Sequence, residues 1–158
     1  MPTSCHIPLP FPYNLLSRIR QEAKDLHLAT IDRLCSGCKA CQLACSMTRR
    51  REVNPKRSFI RPEGRFPAPG DYVIKYCNQC GECAKVCPTG AITLNGDIYE
   101  IAEDLCIQCG ACIAACPYDV MLLLDGEKAM KCNSCGACVR ACPRGAVYDS
   151  DTSKGGRY

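Results

Sequence analysis

The 158-residue sequence predicts an α+β fold of two small modules, each made of two copies of one cysteine-bearing unit, with an N-terminal extended arm and helix ahead of them. Three observations lead there. Sixteen of the seventeen cysteines fall into four runs of identical spacing, C-x2-C-x2-C-x3-C, so the chain is an internal repeat. Short apolar stretches and turn signals follow the last three runs, as expected of a short helix and short strands after each cysteine loop. Finally, the chain has no Trp, three Phe and 6% aromatic residues, a thin supply for an ordinary apolar core.

The four runs are Cys35, Cys38, Cys41, Cys45; Cys77, Cys80, Cys83, Cys87; Cys106, Cys109, Cys112, Cys116; and Cys132, Cys135, Cys138, Cys142. Proline follows the fourth cysteine in three of them (Pro88, Pro117, Pro143), and Ser46 takes its place in the first. Three cysteines at intervals of three wrap a loop around one centre. The third and fourth, four apart, share one face of a helical turn. Glycine after the second cysteine (Gly81, Gly110, Gly136) lets the backbone approach that centre closely. This is the bacterial ferredoxin signature, in which three cysteines of a run bind one [4Fe–4S] cluster and the fourth binds its neighbour. Zinc knuckles use paired C-x2-C units or mix in histidine, and this chain has only His6 and His27. The cofactors expected are therefore four [4Fe–4S] clusters, held by all sixteen cysteines, with the clusters taking the part of a missing core.

The elements follow in order. Residues 7–12 alternate apolar residues with proline, which predicts an extended polyproline-like stretch. Asn14 is placed to cap a helix carrying Leu15, Leu16, Ile19, Ala23 and Leu26. Residues 1–30 thus read as an arm that either folds back on its own module or serves docking or oligomerisation, the latter giving self-association through residues 1–28. The first and second runs are 31 residues apart, joined by a basic connector over 46–70 with seven Arg and Lys from Arg49 to Arg65. After Pro88, TGAITLNGDIYEI predicts a hairpin turning at Asn95-Gly96, and Asp125-Gly126 stands in the corresponding place after Pro117. After Pro143, RGAVYDS begins the same way and passes into a flexible tail, 149–158.

Spacing leaves the pairing of runs open. The second and third runs are 18 residues apart, the third and fourth 15, and either gap accommodates a hairpin and return. Nested pairing joins second with third and first with fourth; tandem pairing joins neighbours. The long first connection argues mildly against the tandem form.

Over residues 31–148, LCSGCKACQLACS, CNQCGECAKVCPTGAI, CIQCGACIAACPYDVM and KCNSCGACVRACPRGAV, with Ala129 and Lys131 ahead of the fourth run, resemble the four-cluster iron–sulfur subunits of molybdenum and tungsten oxidoreductases and of related hydrogenases and carbon monoxide dehydrogenases. All four runs are compact, where many relatives carry insertions. In this the chain is most similar to the small iron–sulfur subunit of bacterial tungsten aldehyde oxidoreductases. The resemblance implies two ferredoxin-like 2[4Fe–4S] modules, nested: an outer one of 31–76 plus 117–148 and an inner one of 77–116. It implies four ligand sets: Cys35/Cys38/Cys41/Cys142, Cys132/Cys135/Cys138/Cys45, Cys77/Cys80/Cys83/Cys116 and Cys106/Cys109/Cys112/Cys87. It also implies a non-catalytic electron-transfer subunit. Its partners would be a catalytic tungsten or molybdenum pterin subunit and, as external donor or acceptor, a flavin/NAD subunit or a ferredoxin, the whole an oligomeric conduit. A free soluble polyferredoxin, or the electron-transfer subunit of a hydrogenase or carbon monoxide dehydrogenase, is the alternative.

Charge and composition narrow the rest. The formal +4 counts cysteines as neutral; four clusters at about −2 each bring the loaded chain to about −4. Nucleic-acid binding is not expected. No signal segment or membrane span is visible, and a cysteine-rich chain without a leader belongs in the reducing cytoplasm, with Cys5 a free thiol. No GxGxxG, phosphate loop or acid–base pair is present, so no catalysis by the chain itself is expected. Ile107 and Ile113 replace polar residues around the third run, Asp119 replaces the Gly90 and Gly145 of other runs, and Lys85 and Arg140 stand beside the second and fourth runs. The third-run cluster is accordingly expected to have the lowest potential.

Overall fold

The computed structural model describes residues 26–151. The proline-rich stretch, the Asn14 helix, Cys5, the arm's contacts before residue 26 and the tail after 151 lie outside the described residues. The helices are α1 (Ala40–Arg50), α2 (Glu82–Lys85), α3 (Ala111–Ala114) and α4 (Ala137–Ala141). The strands are β1 (Leu28–Thr30), β2 (Ile60–Gly64), β3 (Tyr72–Tyr76), β4 (Ile92–Asn95), β5 (Ile98–Ile101) and β6 (Val147–Asp149), in three antiparallel pairs. The α+β content expected from the sequence is present. No helix among the described residues is long and apolar enough to cross a membrane.

β1 pairs with β6, Leu28 opposite Asp149 and Thr30 opposite Val147, so two ends of the described chain meet in one sheet. Ile31 N–H donates to Ala146 O at 2.9 Å and Ser150 N–H to His27 O at 2.9 Å, extending that sheet at both ends. Leu28–Thr30, read as the end of the arm, and Asp149, read as the start of the tail, are therefore parts of one sheet.

α1 packs against α4, and α2 against α3. One apolar cluster joins Cys41, Cys45, Phe59, Ile60, Ile74, Leu122, Cys132, Cys138 and Val147, while a second gathers Cys83, Ile92, Cys112, Met121 and Ala129. The segment after Pro117 serves both: Leu122 faces the first cluster, Met121 and Ala129 the second. Cysteines form a large share of each core, which explains how so few aromatic residues suffice.

The 46–70 stretch is not a plain connector. α1 runs on to Arg50, and β2 and β3 pair from Ile60–Tyr76 to Gly64–Tyr72. Phe59 and Ile60, each 1% exposed, anchor this hairpin in the core. Several of its basic residues are engaged. Arg50 grips Glu127 through both terminal nitrogens (2.7 and 2.9 Å) and Glu52 through Nε (2.9 Å), while Arg61 reaches Asp119 at 3.1 Å. These pairs tie the hairpin region to the 117–131 segment.

The hairpin expected at Asn95-Gly96 forms, with Asn95 opposite Ile98 and the left-handed Gly96 in the turn. Its counterpart at Asp125-Gly126 is reduced to one bridge, Leu122 to Met130.

Ser46 shows why one run lacks its proline. In the other three runs the helix stops before the fourth cysteine, whereas α1 continues five residues beyond Cys45. Proline inside a helix removes a backbone bond and clashes with the preceding turn. Ser46 is fully buried; its Oγ donates to Leu43 O at 3.1 Å and accepts from Asn54 N–H at 3.3 Å. Ser46→Pro restores the motif yet is expected to destabilise the protein by about 3 kcal/mol or more, and Ser46→Ala by about 1–3 kcal/mol. Anaerobic denaturant unfolding of the iron-loaded variants against wild type measures both.

Candidate metal centres

The four runs share one backbone device. The residue before the second cysteine has a left-handed φ in every run: Gly37 at 67°, Gln79 at 60°, Gln108 at 61° and Ser134 at 55°. So does the residue after it: Lys39 at 60°, Gly81 at 79°, Gly110 at 76° and Gly136 at 68°. Alternation of left- and right-handed residues turns successive N–H groups to one side, a concavity suited to anionic sulfur. Glycine is thus needed after the second cysteine first for its backbone angle. At Gly81 crowding adds to this, since a Cβ there would stand 2.6 Å from the Tyr99 hydroxyl. In the first run the glycine moves to position 37, packed on the Tyr72 ring, and Lys39 carries the left-handed strain.

A second device follows three of the runs. Gly90, Asp119 and Gly145 are left-handed and return their N–H groups to Cys87, Cys116 and Cys142 carbonyls at 3.2, 3.2 and 3.4 Å. Asp119 occupies a glycine position because aspartate tolerates that backbone region better than most side chains.

Among the described residues lie four cavities each bordered by four cysteines. Cys35, Cys38, Cys41 and Cys142 border one, which we call site I. Cys77, Cys80, Cys83 and Cys116 border site II. Cys106, Cys109, Cys112 and Cys87 border site III. Cys132, Cys135, Cys138 and Cys45 border site IV. Each cavity thus takes three cysteines from one run and the fourth from another.

The surroundings fit a multi-atom anionic group. Zinc would draw its sulfurs to within about 2.3 Å of one point. Among the described residues no three Cys, His, Asp or Glu side chains converge as on a single ion. Backbone N–H groups of Gly37, Phe59, Ser134 and Ala146 point at the sulfurs of Cys35, Cys45, Cys132 and Cys142, at 3.2–3.5 Å. At site IV, Arg49 Nε is buried without a hydrogen-bond partner among the described residues, as is Asn133 Oδ1. Both residues line that cavity. Arg49 therefore offers an unused N–H beside the sulfurs.

Burial pushes the thiols of Cys41 and Cys132 up to about 12 and Cys45 to about 11, and drives Cys138 well above its ordinary value. At Cys87 burial again opposes ionisation, but the Thr89 hydroxyl and the N–H groups of Ala91, Thr89 and Ile92 prevail and hold the thiol below its ordinary value. A thiolate buried as deeply as Cys41, Cys45, Cys132 or Cys138 is favoured only with a cationic group beside it.

The structure also changes the reading of local charge. Lys85 is exposed and paired with Glu82 at 2.6 Å. Asp119 is paired with Arg61 and lines neither site III nor site II, although Cys116, three residues before it, borders site II. The third run does not lack a cation, since Lys128 Nζ donates to Cys106 O at 2.7 Å. The buried cationic groups sit elsewhere: Arg49 Nε at site IV and the Lys131 ammonium at site II. In the sequence Arg49 belongs to a charge run and Lys131 to a motif; only the folded path gives either a place.

Two models described as 4Fe-4S dicluster domain match the chain, one over residues 34–92 and 105–147, the other over 76–120. The chain belongs to this 4Fe-4S dicluster family of iron–sulfur electron-transfer proteins. It is 36% identical over 84 residues to one of the chains of the anaerobic dimethyl sulfoxide reductase of Haemophilus influenzae, covering 44% of this protein and 41% of that one. It is also 36% identical over 63 residues to the polyferredoxin-like subunit of the aliphatic sulfonate oxidoreductase of Pyrococcus furiosus, covering 39% and 35%. The matches thus span less than half of either relative.

With sulfurs and N–H groups turned inward, the fold should depend on what fills these cavities. Anaerobic removal of iron by a chelator is expected to abolish the cooperative thermal transition. Far-UV circular dichroism checks this, and an unchanged melting profile would count against it.

Proposed function

We propose that this chain is a non-catalytic electron-transfer subunit carrying four [4Fe–4S] clusters, which relays electrons between a catalytic oxidoreductase subunit and an external donor or acceptor. Site I is the cluster of Cys35, Cys38, Cys41 and Cys142; site IV that of Cys132, Cys135, Cys138 and Cys45; site II that of Cys77, Cys80, Cys83 and Cys116; and site III that of Cys106, Cys109, Cys112 and Cys87. The observation that carries this is the grouping of all sixteen sulfurs, four to a cavity, with the fourth exchanged between runs. Such exchange is the habit of two-cluster ferredoxins. When bound, the clusters supply one-electron redox chemistry; the protein holds them and sets their surroundings.

The nested arrangement, sites I and IV in an outer module and II and III in an inner one, draws support from packing. α1 meets α4 and α2 meets α3. Gln79 Nε2 donates to Cys132 O at 3.3 Å and Ser134 Oγ at 3.2 Å, bringing site II beside site IV. The order I–IV–II–III follows. Cys38, Cys80 and Cys109 are exposed while Cys45, Cys132 and Cys138 are buried, so site IV is the interior member.

The partner reading, a tungsten or molybdenum enzyme, leans on the two relatives, since each is named as one component of an oxidoreductase with several. Two measurements test the whole. The anaerobically purified protein is expected to hold about sixteen Fe, and tungsten or molybdenum is expected in whatever copurifies from the native host. Nickel would point instead to a hydrogenase or carbon monoxide dehydrogenase, and iron alone on a monomer to a free polyferredoxin. For the exchange, Cys142→Ser is expected to perturb the same electron-paramagnetic-resonance signal as Cys38→Ser. Matching Cys135→Ser instead would sink the ligand sets.

A further inference from the structure

Lys131 is 5% exposed, an expensive place for an ammonium. Its Nζ donates to Gln79 Oε1 at 2.5 Å, Tyr99 O at 2.6 Å and Cys132 O at 3.2 Å. All three acceptors are neutral, so all three donors are satisfied while the charge has no carboxylate among its partners. A buried charge is retained only where something of opposite sign compensates it. Lys131 lines site II together with Cys77, Cys80, Cys83 and Cys116. Through Cys132 O and Gln79 it also stands at the junction between sites II and IV.

We infer that Lys131 is a positioning residue for charge: its buried ammonium, fixed by three neutral acceptors, selectively stabilises the reduced form of the site II cluster and so makes that cluster a preferred seat for the electron at the junction of the two modules. This rests on the reading of site II as a [4Fe–4S] centre. Reduction adds one negative charge to the cluster, and a fixed cation in a water-poor surrounding acts on that charge with little screening. The exposed Lys85 near the same run, paired with Glu82, has no such leverage.

The test is a redox titration of the anaerobic, iron-loaded full-length protein followed by electron paramagnetic resonance, with iron assayed in each sample. Lys131→Gln removes the charge. Gln79→Glu leaves Lys131 in place but sets a carboxylate against Nζ, and it decides the matter if Lys131→Gln fails to take up iron. Lys131→Arg keeps the charge. Each of the first two is expected to lower the same one of the four midpoints by at least tenfold in the reduction equilibrium, about 59 mV for a one-electron couple. The other three should move less, and Lys131→Arg should stay near wild type. Sixteen Fe with all four midpoints unmoved in Gln79→Glu, or Lys131→Arg falling as far as Lys131→Gln, would overturn this inference alone. Wild-type protein with far fewer than about sixteen Fe would overturn the cluster reading and this inference with it.

Discussion

The exchange of the fourth cysteine organises everything else in this fold. Cys45 and Cys142 cross between the first and last runs, Cys87 and Cys116 between the middle two. Each crossing fixes a helix against its counterpart, α1 on α4 and α2 on α3, because third and fourth cysteines lie one turn apart and must face different cavities. The strands are consequences more than causes. Ladders of three to five residues would not hold alone; they close loops whose ends the cysteines already hold together. β1 with β6 and β4 with β5 both do so.

Polar groups inside the fold follow the same logic. The left-handed residues on either side of each second cysteine cost backbone energy, most at Lys39, Gln79, Gln108 and Ser134, where glycine is absent. Four repetitions of one strained pattern around four sulfur-lined cavities are the mark of a backbone shaped to an anionic guest. Gln79 does more than accept that strain. Its side chain bonds Cys132, Ser134, Tyr99 and Lys131, so a single loop residue joins the second run to the fourth.

How much of this the sequence reveals depends on whether the signal is local. Cysteine spacing is local, and so are the hairpin at Asn95-Gly96 and the helical turn in each run. Ser46 is visible as a departure but not as a helix interior, because nothing in the run says that α1 must continue to Arg50. The β2–β3 hairpin goes unread under a surplus of arginine and proline. Its signals are the β-branched and aromatic residues of Tyr72–Tyr76 and the buried pair Phe59 and Ile60. Pro62 sits within β2, as an edge strand permits, and helps to disguise it. Which cation serves which cavity is beyond reach. Arg49 is four residues from Cys45, yet the sulfurs it meets include those of the fourth run; Lys131 precedes Cys132 but lines the cavity of the second. Because each cavity takes its fourth cysteine from another run, sequence neighbours and spatial neighbours are different sets.

The charge pattern then reads differently from the formal +4. Most basic residues that pair do so with carboxylates: Arg50 and Arg57 with Glu52, Arg50 with Glu127, Arg61 with Asp119, Lys75 with Glu63, Lys85 with Glu82. Those of them that are exposed, such as Lys85 with Glu82, contribute little and are screened by salt. Arg49 and Lys131 are set apart because each buries charged N–H groups without an acid to answer them, and each lies at one of the two adjoining sites, IV and II. Lys39 and Arg144, lining site I, are exposed, and no charged side chain lines site III. The buried cationic groups without an acid partner thus lie at sites IV and II, whereas the cations of site I are exposed and Lys128, half-buried, meets site III at the Cys106 carbonyl. Sites IV and II, which adjoin through Gln79, are therefore where the protein's own buried cations are best placed to act on negative charge.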